Sequence, residues 1–447
     1  MQIIADLHIH SKYSRAVSPR MDLFEIAKWA SRKGIQLVST GDWTHPLWIR
    51  HLKDNLIENN PGIYKLKSNH NTFFLLTTEI SSIYSQGDKV RRIHNLVFSP
   101  SINTCEKVIK RLQSEGANLM SDGRPIIGIS SKNLLEMLLE IDENIMLIPC
   151  HCWTPWFSLY GSKSGFDSIE ECFGEYSKYI FAVETGLSSD PVMNWQIKEL
   201  GNRSIVSSSD AHSGAKLGRE ATVFVLKNPE EPLNIKNLSY GDIIKAIGQE
   251  VDAKLKIGYT IEFFPEEGKY HWSGHRACNI KYNPQEVRQK GVACPICKKP
   301  LTIGVENRVL DLSYQTIGHD NLLLQQNKVG LTFISDKEKK RRPFVSLIPL
   351  MEILKELNNG SDIKALRQYE EITSPILTEF DILLRKPYDE IEEKWGKKFK
   401  EAIRIVRERK VFVDPGYDGV FGVVKIFNEN ENTITEEKKA ETQQALF

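Results

Sequence analysis

Eight side chains of this sequence have the types and positions of a metal centre: His8, His10, Asp42, Glu79, His94, His151, Asp210 and His212. Imidazole and carboxylate together suit zinc, manganese or iron, and a shared carboxylate can bridge two ions. Such a pair, about 3.5–4 Å apart, can generate hydroxide and stabilise both oxygens in a phosphoryl displacement. His8 and His10 sit two apart in Asp6-Leu-His-Ile-His, so in extended backbone they point the same way and can share an ion. A lone histidine after a strand is more often a satisfied polar residue than a ligand. Eight candidates in corresponding positions argue for a centre.

A second constellation is compact. His275-x2-Cys278 precedes Cys294-x2-Cys297, a spacing that predicts a tetrahedral Cys₃His zinc site, with His271 as reserve ligand. Four protein ligands leave no open position, so this zinc is structural. Cys150 and Cys152, which flank His151, and Cys105 and Cys172 are expected to be packing residues.

The elements that must position the first set alternate regularly. Apolar runs predict strands at Ile3–Ala5, Gln36–Ser39, Phe73–Thr77, Ile93–Phe98, Ile145–Pro149, Ile180–Val183 and Ile205–Ser208. Helix-like stretches lie between several of them, among them Asp22–Lys33 with Gly34 beyond its end. Alternation of this kind predicts a parallel α/β sheet or barrel; about seven units suit a seven-stranded barrel, whose C-terminal strand ends form one mouth. His8, Asp42, Glu79, His151, Glu184 and Asp210 follow successive strands and would converge there. The predicted organisation is a barrel over 1–268, a zinc-binding subdomain over 269–304, a C-terminal α/β domain over 305–427 and a polar, disordered tail over 428–447.

Composition bounds the function classes. The 447 residues carry a net charge of +1, with 40% hydrophobic and 26% charged residues, as in a folded globular protein. No run approaches the roughly 18 apolar residues of a membrane span. The N-terminus lacks a secretory pattern and the cysteine count is odd, so a cytoplasmic protein without membrane partners is expected. The near-neutrality conceals a split: residues 269–427 hold 28 Lys+Arg against 21 Asp+Glu, and the rest is acidic. The basic runs Lys337–Arg342 and Lys394–Lys410 can meet phosphates in a salt-sensitive way, or can be solvated faces paired with neighbouring acids.

Aromatic and cationic residues follow the ligand candidates. Trp43, His45 and Trp48 come after Asp42, and Trp153, Trp156 and Phe157 after His151; they could stack on an extruded base. The loop Tyr160–Phe166 offers backbone amides with Ser162, Lys163 and Ser164 as a phosphate nest, and Lys216 and Arg219 add cations.

With these motifs in view, ADLHIHSKYS, STGD, TTEI, RIHNLVF, PCHCWTP and SSSDAH resemble the PHP (polymerase and histidinol phosphatase) family. The resemblance implies a distorted seven-stranded βα barrel with up to three metals. It carries the metal-ligand role, residue by residue, to His8, His10, Asp42, Glu79 as the bridging acid, His94, His151, Asp210 and His212. Asp42 stands where a His is usual and Ser14 where a further His is expected, so the third metal site is altered. Across residues 1–427 the insert and the closing PGYDGVFGVVKIF are similar to the endonuclease Q family of DNA-repair enzymes. That likeness implies cleavage 5′ to uracil, hypoxanthine, xanthine and abasic sites, leaving 3′-hydroxyl and 5′-phosphate ends. The expected ions are two or three divalent metals (zinc, with magnesium or manganese as alternatives) besides the structural zinc. One would use His8, His10, Glu79 and Asp210, a second Glu79, His94 and His151, and a weaker third Asp42 and His212. The alternatives are a phosphoesterase of small phosphomonoesters and a non-catalytic DNA-binding module. Damaged DNA is the expected partner, with a sliding clamp as a further one through Gln443-Gln-Ala-Leu-Phe447.

Overall fold

The computed structural model describes residues 2–68, 71–228, 230 and 234–427; the tail 428–447, with its clamp-like end, lies outside the described residues. Among them, no helix is long and apolar enough to cross a membrane.

Strands β1 (Ile3–Asp6), β2 (Leu37–Ser39), β3 (Leu56–Asn60), β4 (Ile63–Leu66), β5 (Phe73–Leu75), β6 (Thr77–Gln86) and β7 (Lys89–Phe98) open the chain. They are followed by β8 (Ile126–Ile127), β9 (Met146–Pro149), β10 (Ala182–Glu184), β11 (Ser204–Val206), β12 (Ala221–Leu226) and β13 (Leu255–Glu262). All seven predicted strands are present to within a few residues. Helix α1 (Leu23–Lys33) begins where the Asp22 carboxylate caps the Phe24 and Glu25 amides, and ends at Gly34 with φ 85°. It buries Leu23, Ile26, Ala27 and Ala30, the face its period sets.

The pairing corrects the expectation of a parallel barrel. Pairs β1–β2, β2–β5 and β10–β11 are parallel, whereas β6–β7, β7–β9 and β1–β12 are antiparallel. The hydrogen bonds form separate sheets, with β8-β6-β7-β9 as one and β10-β11 as another, instead of one closed ring. For β6–β7 the cause is local: Gly87 and Asp88 both have positive φ (60° and 57°), the geometry of a two-residue hairpin turn. β6 therefore returns at once as β7; Glu79 lies within a strand, not after one, and His94 lies within its strand as expected. Single links bridge the gaps: Cys152 N donates to Glu184 O at 3.1 Å, and Ile9 bridges Ala211.

The remaining strands are β14 (Ser273–His275), β15 (Ile280–Tyr282), β16 (Leu322–Gln326), β17 (Thr332–Asp336), β18 (Phe344–Ser346), β19 (Phe412–Asp414) and β20 (Val423–Lys425). β14 and β15 form a small hairpin in the insert. β13 pairs with β18 in parallel, so β16–β18 extend the ten-stranded main sheet and its hydrogen bonds run unbroken past residue 305. A buried ion pair, Lys33 Nζ to Glu379 Oε2 at 2.8 Å, ties α1 to this region.

Glu220 and Glu262 flank the facing pair Ala221–Ile261 of the β12–β13 ladder, both buried. One oxygen of each lacks a hydrogen-bond partner. Burial pushes the Glu262 carboxyl up to about 8, and Glu220 rises with it through burial and the charge of Glu262. Such a group keeps its proton in the fold while the unfolded chain loses it above about 4.5, so stability falls as pH rises from there to about 8. Glu262→Gln is expected to melt a few degrees above the native protein at pH 8 and to match it near pH 5. A melting curve showing no pH-dependent difference would contradict this.

Candidate metal centre

The polar groups left unpaired at the strand ends define the site. Among buried side-chain atoms without a hydrogen-bond partner are His8 Nε2, His10 Nε2 and Asp210 Oδ1. Burying such atoms is costly unless something pairs with them. His10 Nε2 stands 3.1 Å from both Glu79 Oε2 and Asp210 Oδ1, and His8 Nε2 stands 3.8 Å and 4.0 Å from the same two atoms. Each ring turns its other nitrogen to a carboxylate: His8 Nδ1 to Glu184 at 3.0 Å and His10 Nδ1 to Asp42 at 2.9 Å. A carboxylate behind the imidazole fixes the tautomer and leaves the far nitrogen free for a metal.

The other oxygen of Glu79 serves a second group. His94 Nδ1 contacts Oε1, His151 Nε2 lies 3.2 Å from it, and the two imidazole nitrogens are 3.3 Å apart. Donor atoms of His8, His10 and Asp210, and separately of Glu79, His94 and His151, lie within 4.8 Å of one another, so each trio could hold an ion. Orphaned nitrogens around one carboxylate fit divalent metals well.

Electrostatics follow the same geometry. Although burial opposes it, the Glu184 carboxylate holds His8 well above its usual range, and Asp42 does so for His10. Burial drives His94 down to about 4 despite Glu79, whereas the interaction with the His94 imidazole first, and then with the Arg124 guanidinium, holds Glu79 well below the ordinary carboxylate range against its own burial. Burial pushes the Cys150 thiol well up, and its sulfur lies within 4.8 Å of donor atoms of His8 and Glu79, at the edge of the same centre.

Two predicted ligands stand outside these trios. Asp42 is taken up within the chain: Oδ1 by His10, and Oδ2 by Ser11 N (2.6 Å), Ser11 Oγ (2.7 Å) and Ser14 Oγ (2.9 Å). His212 turns Nδ1 to the Asp210 carbonyl at 2.8 Å and packs edge-on to His10. Two further side chains take part, Glu184 and Arg124. Glu184, whose position after a strand was its signal, also accepts from His151 N at 2.9 Å. Arg124, which has no spacing signal, reaches Glu79 Oε2 at 3.2 Å.

The centre opens into a cavity of about 920 Å³ reached by His94, His151, Asp210 and His212. Five cations line it: Arg92, Arg124, Lys216, Arg219 and Lys269. Lys216 pairs with Glu352 at 2.6 Å, and Arg219 holds the Ser209 carbonyl at 2.8 Å. Trp156 lines the cavity and meets Tyr270 edge-on. Trp43, Trp48 and Trp153 do not; all three are core residues. Trp48 Nε1 donates to Gly41 O at 2.9 Å, and Trp153 stacks on Tyr160 and donates to Asn194. The nest reading of the 160–166 loop is corrected too. The amides of Gly161, Lys163, Ser164, Gly165 and Phe166 all bond within the 155–166 segment. Ser162 Oγ donates to Ile303 O, and Ser164 Oγ is buried between Phe157 N and Arg92 O; only Lys163 is exposed. The basic run after Lys394 is largely paired or buried: Lys400 with Glu392, Arg404 with Glu401 and Glu408, and Arg407 on four backbone carbonyls.

In the insert, donor atoms of His275, Cys278, Cys294 and Cys297 lie within 4.8 Å of one another. Backbone amides of Cys297 and Ile296 outweigh the opposing effect of desolvation and bring the Cys294 thiol down to about 7, whereas desolvation and the neighbouring thiols raise Cys278 to about 11. His271 is not part of the group; it is buried beside Glu306, 3.8 Å away.

The fold and centre together define a mixed α/β protein with a buried histidine–carboxylate cluster beneath a cationic cavity. No family model matches the chain. Crystal structures of the lesion-specific endonuclease PfuEndoQ of Pyrococcus furiosus and of endonuclease Q with a 27-mer duplex bearing an abasic lesion each align over 96% of the chain. They cover 96% and 98% of those chains, with TM-scores of 0.76 and 28% identity. The uncharacterized protein YqxK of Bacillus subtilis is 30% identical over 70% of this chain and 78% of its own length. The uncharacterized protein MJ0043 of Methanocaldococcus jannaschii is 31% identical over 61% of this chain, but the match spans only 31% of that relative. The chain belongs to the endonuclease Q family.

Glu184→Gln is expected to weaken metal binding at the strand-end centre about 10- to 100-fold, while Cys297→Ser removes one zinc equivalent from the insert and leaves the other ions in place. Elemental analysis of both variants reads this out. Unchanged metal content in either would count against its site.

Proposed function

We propose that this chain is a lesion-specific DNA endonuclease that hydrolyses the phosphodiester 5′ to uracil, hypoxanthine, xanthine and abasic sites, leaving 3′-hydroxyl and 5′-phosphate ends. The observation that carries the reading is the set of unpaired imidazole nitrogens around Glu79, open to a five-cation cavity, in a fold shared along nearly its whole length with endonuclease Q. Divalent ions held by His8, His10 and Asp210, and by Glu79, His94 and His151, would supply a Lewis acid and a nucleophilic water at neutral pH.

The chain's own groups do the rest. Glu184 and Asp42 keep His8 and His10 in one orientation through their Nδ1 atoms. His212, steadied by the Asp210 carbonyl, turns toward the phosphate. Lys216, Arg219 and Lys269 draw the DNA backbone over the mouth, and Trp156 with Tyr270 offers an aromatic face to an unstacked base. The insert, with its Cys₃His zinc, is a rigid prop beside that mouth, since Ser162 and Arg308 join residues 303–308 to the 160–167 loop. On this reading residues 1–268 carry the chemistry and 269–427 contribute to holding DNA.

Incubating the metal-loaded protein with labelled duplexes containing uracil, hypoxanthine, xanthine, an abasic site or no lesion tests the reading. Lesion-dependent nicking, lost in Asp210→Ala, is expected. Turnover of a phosphomonoester alone, or duplex binding without cleavage by the metal-loaded protein, would overturn it.

A further inference from the structure

A second cationic pocket lies at the end of the sheet away from the metal centre. β12 runs antiparallel to β1 and β13 antiparallel to β12, so Leu226 and Leu255 pair at the end opposite Asp6 and the histidines that follow it. Lys227 leaves β12 at that end. β18 runs parallel to β13, so the turn leading into β18, which is the basic run Lys337–Arg342, arrives there too. One acid shapes this turn: Asp336 Oδ1 accepts the Lys340 amide at 3.2 Å and Oδ2 the Arg341 amide at 2.7 Å. Thr260 N donates to Pro343 O at 3.3 Å, which lays Arg341 and Arg342 alongside the first half of β13.

Between these segments is a cavity of about 180 Å³ lined by six cations, Arg203, Lys227, Lys256, Lys340, Arg341 and Arg342, and, among the described residues, by no carboxylate side chain. Most of the cations are held without being neutralised. Arg203 donates to the carbonyls of Ser177, Ile180 and Glu199, Lys227 to those of Glu250 and Val251, and Arg341 Nη1 to Leu200 O at 3.2 Å. Only Lys340 pairs with a carboxylate, that of the exposed Glu338 at 2.6 Å. The side chains of Lys256 and Arg342 have neither a hydrogen bond nor an ion pair among the described residues. Like charges gathered in one concavity repel one another and raise the local concentration of anions.

We propose that this pocket binds the phosphate or diphosphate group of a small phosphorylated ligand, through Lys256, Arg341 and Arg342. Size sets the class, since the cavity admits one or two phosphoryl groups and no base pair. The free guanidinium edges suit phosphate oxygens, which accept two parallel N–H bonds from one fork. The site is separate from the strand-end centre and does not rest on the function proposed above.

Inorganic pyrophosphate is the probe, titrated into full-length, metal-loaded protein at fixed ionic strength and followed by calorimetry and by melting temperature. The native protein should show a binding event that raises its melting temperature. In the double variant Lys256→Gln, Arg342→Gln that event should weaken at least about tenfold, the scale of losing charge-assisted hydrogen bonds. Its melting temperature without ligand and its affinity for undamaged duplex should match the native protein, and Arg342→Lys alone should keep part of the binding. Pyrophosphate binding that is absent from the native protein, or equally tight in the double variant, would overturn the proposal. So would a double variant that loses duplex affinity while still binding pyrophosphate, because the pocket would then serve the nucleic-acid backbone.

Discussion

The Glu79 carboxylate is the interaction on which the site depends. Its Oε2 faces His10, His8 and Arg124, and its Oε1 faces His94 and His151. Through these contacts it meets both histidine groups. Fully buried, it would be expensive as an unpaired ion, yet the ring of cationic and imidazole partners keeps it ionised. Its placement on β6, opposite Leu96 of β7 and two residues from His94 in register, lets one hairpin deliver an acid and an imidazole from adjacent strands.

The backbone is strained to hold that arrangement. Asp42, His151 and Asp210 all adopt positive φ (49°, 25° and 47°), uncommon for residues with side chains and costing about 1–3 kcal/mol each. Neighbours enforce the turns. Gly186 lies so close to His151 that a Cβ would approach the histidine's to 2.3 Å. Asp6 accepts Ser209 N, Ser209 Oγ and Gly218 N, fastening both ends of the loop that carries Asp210 and His212 to β1. The rigidity holds the imidazole nitrogens together without a hydrogen-bond partner.

Much of this was legible in the sequence because apolar runs mark strands and the polar residue after each run marks a strand end. The convergence of most ligand candidates was expected from that spacing and the Cys₃His group from its paired x2 spacing, whereas the division into two histidine sets was implied by the family resemblance. What escaped depended on contacts across the fold. Trp48 and Trp153 sit beside ligand candidates in sequence, but their rings close the core and their indole N–H groups are satisfied there. Asp42 reads as a ligand until Ser11 and Ser14 are seen around it. Arg124 comes from a short segment whose neighbour, β6, is over forty residues earlier, and no periodicity announces it. The pairing of β6 with β7 was hidden for the opposite reason: a Gly-Asp turn inside one long polar stretch looks like a loop between separate strands.

The sharpest test of Glu79 as the shared acid is anomalous diffraction at the zinc edge from crystals of the metal-loaded protein. The account expects two strand-end peaks, one beside His8, His10 and Asp210 and one beside His94 and His151, with a different Glu79 oxygen at each. Peaks that leave Glu79 without a metal contact, or both histidine groups on a single ion, would contradict it.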